Sequence, residues 1–174
     1  MKAFYTVTLA ASLVMVSLLA LAQLGPSRAP EVHLDADELA PRPIEELTGT
    51  RIAQSYALAW QDLARALESG HPGNLADEFT GFAKENLLKR IAEQNQTGVH
   101  VQILDHGHHL KAIFYSTDGA AMQLIDDAQL EIQTFDGNKL LDTQNVPRRY
   151  MVLMTPGADR WYIRDLEEVS AKPR

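Results

Sequence analysis

The stretch "DHGHH", residues 105 to 109, concentrates potential metal ligands in this sequence. It places three histidines and one aspartate within five positions, a set of side chains that zinc and copper accept. A zinc site needs three or four ligands converging on one point at ~2 Å, whereas adjacent side chains such as His108 and His109 diverge in an extended chain. His106, His108 and His109 are therefore weak metal candidates, and we predict no metal ion or other cofactor.

The same stretch is more typical of a turn. It separates two predicted strands, "VHVQIL" and "LKAIFYS", so we predict a hairpin tip at residues 105 to 109. Gly107 supplies backbone freedom, and aspartate and histidine tolerate turn conformations. Asp105 shares the parity of Val99, Val101 and Ile103, which predicts that its side chain helps to close the edge of the core.

Asp126 is the second candidate for chemistry. It lies in a long predicted strand, residues 120 to 135, whose even positions are otherwise apolar (Met122, Leu124, Ala128, Leu130 and Ile132). An unbroken alternation would turn its carboxylate into the core, where it could act as a general base beside a hydroxyl donor from Tyr56 or Tyr150. The favoured alternative is a β-bulge at Asp126 and Asp127, which would take both carboxylates to water or to backbone amides.

Composition excludes several classes of function. The chain has no cysteine, which rules out disulfides, iron–sulfur clusters, thiolate zinc sites and a cysteine nucleophile. The formal net charge of −7 argues against binding nucleic acid through a general basic surface. The sequence contains no G-x-S-x-G, no H-E-x-x-H and no phosphate-binding glycine loop.

The amino-terminal segment predicts passage into or across a membrane. Residues 3 to 22 are uncharged and long enough to span a bilayer, and they end in "ALA" before Gln23, a pattern that signal peptidases cut. An uncleaved anchor is slightly favoured over a signal peptide cleaved near Ala22. In either case the rest of the chain is expected on the outer, extracytoplasmic side. Residues 23 to 50 contain four prolines and are predicted to be an extended tether.

The folded part begins with helices. Apolar residues recur at steps of three and four from Ile52 to Leu67, with Thr50 as a predicted N-cap and Gly70 as a stop. A short second helix is expected to carry Leu75 and Phe79. The apolar face of a third helix is predicted to comprise Phe82, Leu87, Leu88 and Ile91. The predicted lining of a pocket between these helices and the sheet comprises Tyr56, Trp60, Phe82 and Asp126.

After Gly98 the sequence is dominated by strand patterns. The strands continue through "RRYMVLM" and "RWYIRDL", joined by "TPGAD". Helices followed by antiparallel strands predict an α+β domain at residues 51 to 168, with three helices packed on one face of a curved sheet and a tail at residues 169 to 174.

This layout resembles the nuclear transport factor two-like superfamily, the cone-shaped fold shared with ketosteroid isomerase. The resemblance covers about residues 48 to 168 and rests on the long first helix, the strand after "STDG" and the closing pair "RRYMVLMTPGADRWYIRDLEEV". Enzymes of the isomerase type in this superfamily use an acidic base and an oxyanion hole. Several membrane-linked relatives instead use the domain for assembly or interaction, and the tether preceding the domain makes this non-catalytic type the better match.

The closing strands are apolar on both faces, which predicts a surface for a partner protein or for dimerisation. The predicted interface residues are Tyr150, Val152, Met154, Tyr162 and Arg164. The leading hypothesis is therefore a non-enzymatic, membrane-tethered or exported interaction domain. The alternative is a small-molecule-binding or isomerase/cyclase-type enzyme with Asp126 as general base, and the weakest hypothesis is metal binding at His106 to His109.

Overall fold

The computed structural model describes residues 29–37, 39, 42–73 and 75–169. The elements in chain order are β1 (Val32–Asp35), α1 (Glu46–Ser69), α2 (Leu75–Glu78), α3 (Gly81–Thr97), β2 (Val99–Tyr115), β3 (Met122–Asp136), β4 (Lys139–Pro156) and β5 (Trp161–Glu168). The predicted α+β class, with three helices and a sheet, is confirmed. Within the described residues no helix is long and apolar enough to cross a membrane. The predicted anchor or signal segment at residues 1 to 22 lies outside them.

The long first helix buries the stripe of apolar residues from which it was predicted. Its fully or almost fully buried residues include Ile52, Tyr56, Ala59, Trp60, Leu63 and Leu67. The helix ends where Gly70 adopts a left-handed conformation with φ of 68°. The prediction of Thr50 as N-cap is wrong, because the helix begins at Glu46 and the Thr50 hydroxyl donates to the Glu46 carbonyl from inside the helix.

The third helix turns a different face to the core from the predicted one. Its buried residues are Ala83, Leu87 and Ile91, spaced four apart. Phe82, predicted to line the pocket, is instead 68% exposed, and Leu88 is also exposed. The prediction of Phe82 as a pocket residue is therefore wrong, since a residue one position before Ala83 points about 100° away from the buried stripe.

The five strands form one sheet in the order β1-β2-β3-β4-β5. All neighbours pair antiparallel except β1, which runs parallel to β2 and places Val32 opposite His108. This edge strand falls inside the segment predicted as an extended tether, so part of that segment belongs to the folded domain. Four residues are too short a run for periodicity to reveal a strand.

The stretch from Asp105 to His109 lies within a strand and not at a hairpin tip. β2 runs through it without interruption, and its pairing with β3 shifts register between Asp105 and His108. Gly107 occupies this β-bulge with φ of 126°, and the His108 backbone N–H donates to the Glu31 carbonyl over 2.9 Å. The predicted turn is therefore wrong, and the glycine serves a bulge that seats β1.

The predicted bulge at Asp126 is also absent. The register of β3 runs unbroken through Asp126 and Asp127 against both neighbouring strands, and its irregularity with β4 lies between Thr134 and Phe135. The strict alternation turns Met122, Leu124, Asp126, Ala128 and Leu130 inward, all essentially without solvent exposure.

The two faces of the sheet differ in burial. The helices pack on the inner face, where Val152 and Met154 are fully buried. Their prediction as interface residues is therefore wrong, because both faces of β4 are apolar and parity alone did not distinguish them. The opposite face carries Ile113 and Phe114, which are 39% and 42% exposed.

Candidate functional site

Four polar side chains form a continuous hydrogen-bonded network in the core. The Tyr56 hydroxyl of α1 donates to Oδ2 of Asp126 over 2.8 Å. The same oxygen lies 2.8 Å from Nδ1 of His108, and Nε2 of that histidine lies 2.8 Å from Oδ2 of Asp105. The bulge in β2 makes this arrangement possible, because it brings His108 onto the inner face, the same face as Asp105.

His108 is the positive centre of the network. Burial alone would lower the pKa of its imidazole, but the hydrogen bonds and charges of Asp105 and Asp126 outweigh that effect and raise the pKa to about 9. At neutral pH both ring nitrogens therefore carry protons, and each donates to one carboxylate. Burial, together with the charge of Asp126, raises the pKa of Tyr56 well above 10, so its hydroxyl remains a donor.

One oxygen of the network stays unsatisfied. Oδ1 of Asp126 is buried and has no hydrogen-bond partner among the described residues, although Oδ2 accepts from both Tyr56 and His108. A free lone pair on a buried carboxylate is the feature that a general base needs. Oδ1 of Asp126 is therefore the atom that would accept the proton under the isomerase-type hypothesis.

Aromatic rings pack around His108, the partner of this carboxylate. The Trp60 ring centroid lies 4.6 Å from that of His108 and 5.4 Å from that of Tyr150, while Tyr56 meets the His108 ring edge-on at 5.3 Å. Asp126 and Tyr56 have no solvent exposure at all. A substrate cannot reach the Asp126 carboxylate in this conformation, so the structure brings the predicted base and donor together but encloses them.

The open cavity lies on the other side of Trp60 and Tyr150. It has a volume of about 240 Å³ and sits between α1, α3 and the sheet. Its lining residues are Trp60, Leu63, Asn86, Leu87, Arg90, Ile103, Leu130, Ile132, Arg148, Tyr150, Leu166 and Glu168. Of the predicted pocket residues, Trp60 lines this cavity, whereas Tyr56 and Asp126 lie behind its wall.

The histidines of residues 105 to 109 do not converge. His108 is buried between two carboxylates, while His106 and His109 are exposed, and the His109 ring stacks on His33 at 5.1 Å. Within the described part of the chain no group of three or more histidine, aspartate or glutamate side chains is arranged to hold a metal ion.

The remaining predicted interface residues lie apart from the network. Tyr162 is half-buried next to the fully buried Ile163, and Arg164 is exposed beside Gly81. Tyr150 is on the inner face, in the cavity wall, and not on a free surface. The exposed apolar side chains of the sheet are Ile113 and Phe114, together with Leu104, Leu140 and Leu141.

His108 was not among the partners predicted for Asp126. One feature of the sequence pointed to such a partner. Asp105 and Asp126 are both predicted to point inward, and two buried carboxylates on two strands require a buried donor between them. The bulge at Gly107 concealed the partner, since it shifts the parity of every residue that follows it.

Comparison with known proteins identifies a solved structure with a similar fold. No protein-family model matches the sequence, and no curated protein matches it. The intermembrane space region of chloroplast protein ARC6 is similar in structure, with a TM-score of 0.62 at 15% identity over 75% of this chain and 100% of that one. At this identity the likeness shows a shared fold.

A second structural neighbour is weaker. It is a protein assigned as a dehydratase from the NTF2-like family of Streptomyces avermitilis. Its TM-score is 0.46 at 13% identity, over 69% of this chain and 98% of that one.

Proposed function

We propose that this chain is a non-enzymatic interaction or assembly domain of the nuclear transport factor two-like type on the extracytoplasmic side of a membrane. Residues 3 to 22 would anchor it, or it would be released after cleavage near Ala22. The domain of ARC6 named above lies in an intermembrane space, which is compatible with an extracytoplasmic location here. The proposed partner is another protein or a second copy of this chain.

The apolar strip on the outer sheet face carries the proposal. We define this outer strip as Ile113, Phe114, Ile125, Met151, Leu153 and Tyr162. Register places Phe114 beside Gln123 and Leu153 across three strands, on the face opposite the helices. Ile113 and Phe114 are exposed and the other four are half-buried. Exposed and half-buried apolar side chains on one sheet face, here with the polar Gln123 between Phe114 and Leu153, are typical of protein interfaces.

The enclosed polar network supports the same proposal. Asp126 is the best candidate for a catalytic base, yet its partners come from the protein itself and its side chain has no solvent exposure. A buried ionic network with nearly all its partners satisfied is more typical of a fixed core than of an open active site.

A pull-down of the full-length protein from detergent-solubilised membranes tests the proposal, combined with light scattering on the purified chain. A reproducible protein partner, or a dimer at micromolar concentration, supports it. A monomer that captures no protein above the level of an unrelated membrane protein contradicts it.

A second candidate function is an isomerase or cyclase activity with Asp126 as general base. It is favoured by one observation, the 2.8 Å hydrogen bond from Tyr56 to a carboxylate whose other oxygen is free. It requires Trp60 or Tyr150 to move and open the network to the cavity. Under this hypothesis Asp126→Asn abolishes turnover of a cyclic ketone or alcohol while circular dichroism remains unchanged, and absence of turnover by the wild-type chain removes the hypothesis.

A further inference from the structure

The cavity beside Trp60 has an apolar floor. Six aliphatic side chains line it, and the rings of Trp60 and Tyr150 meet edge-on at its inner end. The aliphatic residues are Leu63, Leu87, Ile103, Leu130, Ile132 and Leu166. Water gains little from such walls, so a ligand with an apolar or aromatic body would displace it favourably.

Cationic side chains line the polar side of the same cavity. Arg148 pairs with Glu168, which leaves little net charge at that point. Its Nε atom is nevertheless buried without a hydrogen-bond partner among the described residues. Arg90 lines the cavity from α3 and forms no hydrogen bond or ion pair with any residue that the structure describes. Arg90, an exposed residue, therefore contributes one positive charge without a paired carboxylate to a cavity lining of mixed polar and apolar side chains.

The Tyr150 hydroxyl adds a neutral donor next to this charge. Burial and the Glu168 carboxylate raise the pKa of Tyr150 to about 12, although Arg148 and Arg90 act in the opposite direction. The phenol therefore keeps its proton at neutral pH and can donate a hydrogen bond to an anion. A guanidinium and a hydroxyl that line the same cavity beside apolar side chains form a typical carboxylate-binding arrangement.

We propose that this cavity binds a small organic monocarboxylate with an aromatic or branched apolar body. The body lies against Trp60 and the aliphatic floor, and the carboxylate accepts hydrogen bonds from Arg90 and Tyr150. The volume of about 240 Å³ is below the ~300–1,000 Å³ that is usual for drug-sized ligands, which limits the ligand to a small molecule. This binding function is independent of the interaction surface on the outer sheet face.

The test uses 3-phenylpropionate and its uncharged amide, 3-phenylpropanamide, as probes. Binding to the full-length chain in lipid nanodiscs is measured by ligand-observed saturation-transfer NMR, with empty nanodiscs as the reference. Arg90→Gln removes the charge, and Lys89→Gln is its matched control, because Lys89 is highly exposed on the same helix and does not line the cavity.

We expect the carboxylate to bind more tightly than the amide, and Arg90→Gln to weaken the carboxylate about tenfold while leaving the amide unchanged. Lys89→Gln should bind both probes as the wild type does. Equal affinity for both probes, or an equal loss in the two variants, overturns the assignment of an anionic ligand.

A second pair of variants tests the location of the site. Asn86→Trp places a large ring at the cavity, whereas Glu85→Trp places the same ring at a neighbouring exposed position outside the lining. Binding lost in Asn86→Trp and retained in Glu85→Trp supports the site. Binding retained in both, or no binding of either probe to the wild type above empty nanodiscs, overturns it.

Discussion

Nδ1 of His108 lies 2.8 Å from Oδ2 of Asp126, and neither side chain has any contact with solvent. The two residues come from adjacent strands, and the pair forms because the bulge at Gly107 turns the imidazole inward. Removing one member of a buried ion pair leaves the other charge uncompensated in a medium of low dielectric constant. The network is therefore expected to contribute to stability through the completeness of its pairing.

Asp126→Asn is expected to reduce the free energy of unfolding by about 3 kcal/mol, because it leaves the His108 imidazolium with one carboxylate instead of two. Urea unfolding of the full-length chain in micelles, followed by tryptophan fluorescence, measures the change. Asp127→Asn is the matched control, since the adjacent carboxylate pairs with Arg149 in an exposed position. An equal loss in both variants would show that the buried network has no special role.

Stability should depend on pH through His108. Its pKa rises from about 6.5 in the unfolded chain to about 9 in the fold, so the folded state binds the proton more tightly. The stabilisation is fully present below pH ~6.5 and is lost as the pH rises through about 9, with a total loss of about 3 kcal/mol. Urea midpoints between pH 7 and 9 should fall for the wild type.

The control for this pH dependence is His108→Gln, which cannot titrate. Its urea midpoint is expected to be lower at pH 7 and nearly constant between pH 7 and 9. The same downward slope in the variant as in the wild type would assign the pH dependence to another group.

The bulge residue Gly107 should tolerate no side chain. Its φ of 126° is a conformation that L-residues rarely adopt, and an added Cβ atom would lie 3.3 Å from the Glu31 carbonyl oxygen. Gly107→Ala is expected to cost about 2–3 kcal/mol and to increase hydrogen exchange in β1. Gly98→Ala serves as control, because Gly98 also has a positive φ, of 73°, but an added Cβ atom would meet no other atom within 4 Å. This substitution should cost about 1 kcal/mol. Unchanged exchange in β1 would contradict the role of Gly107 in seating that strand.

Part of the fold could be predicted from local patterns, because the long first helix buries one apolar stripe and the first half of β3 alternates strictly. The inward direction of Asp126 also followed from the alternation of β3. A β-bulge at Asp126 and Asp127 was nevertheless the favoured prediction, because an isolated carboxylate in a core is costly. The two groups that offset this cost, Tyr56 and His108, lie 70 and 18 residues away in sequence, so no local pattern reveals them.

Other features are ambiguous in a single sequence for physical reasons. A glycine between two apolar segments suits a hairpin turn and a β-bulge equally, and long-range pairing with β3 decides between them. The two apolar faces of β4 could not be assigned either, because Val152 and Met151 are similar in hydrophobicity and only the packing of the helices distinguishes their environments.

The most direct test of the interaction proposal compares two exposed phenylalanines. Phe114 belongs to the outer strip, whereas Phe82 is more exposed but lies on α3. Tagged wild-type, Phe114→Ser and Phe82→Ser chains are used to capture proteins from detergent-solubilised membranes, with captured partner or untagged self quantified by mass spectrometry. We expect Phe114→Ser to reduce capture at least about tenfold, as loss of an aromatic hot spot does, while Phe82→Ser captures as the wild type. Undiminished capture by Phe114→Ser, or equal losses in both variants, would contradict the outer strip as the interaction surface.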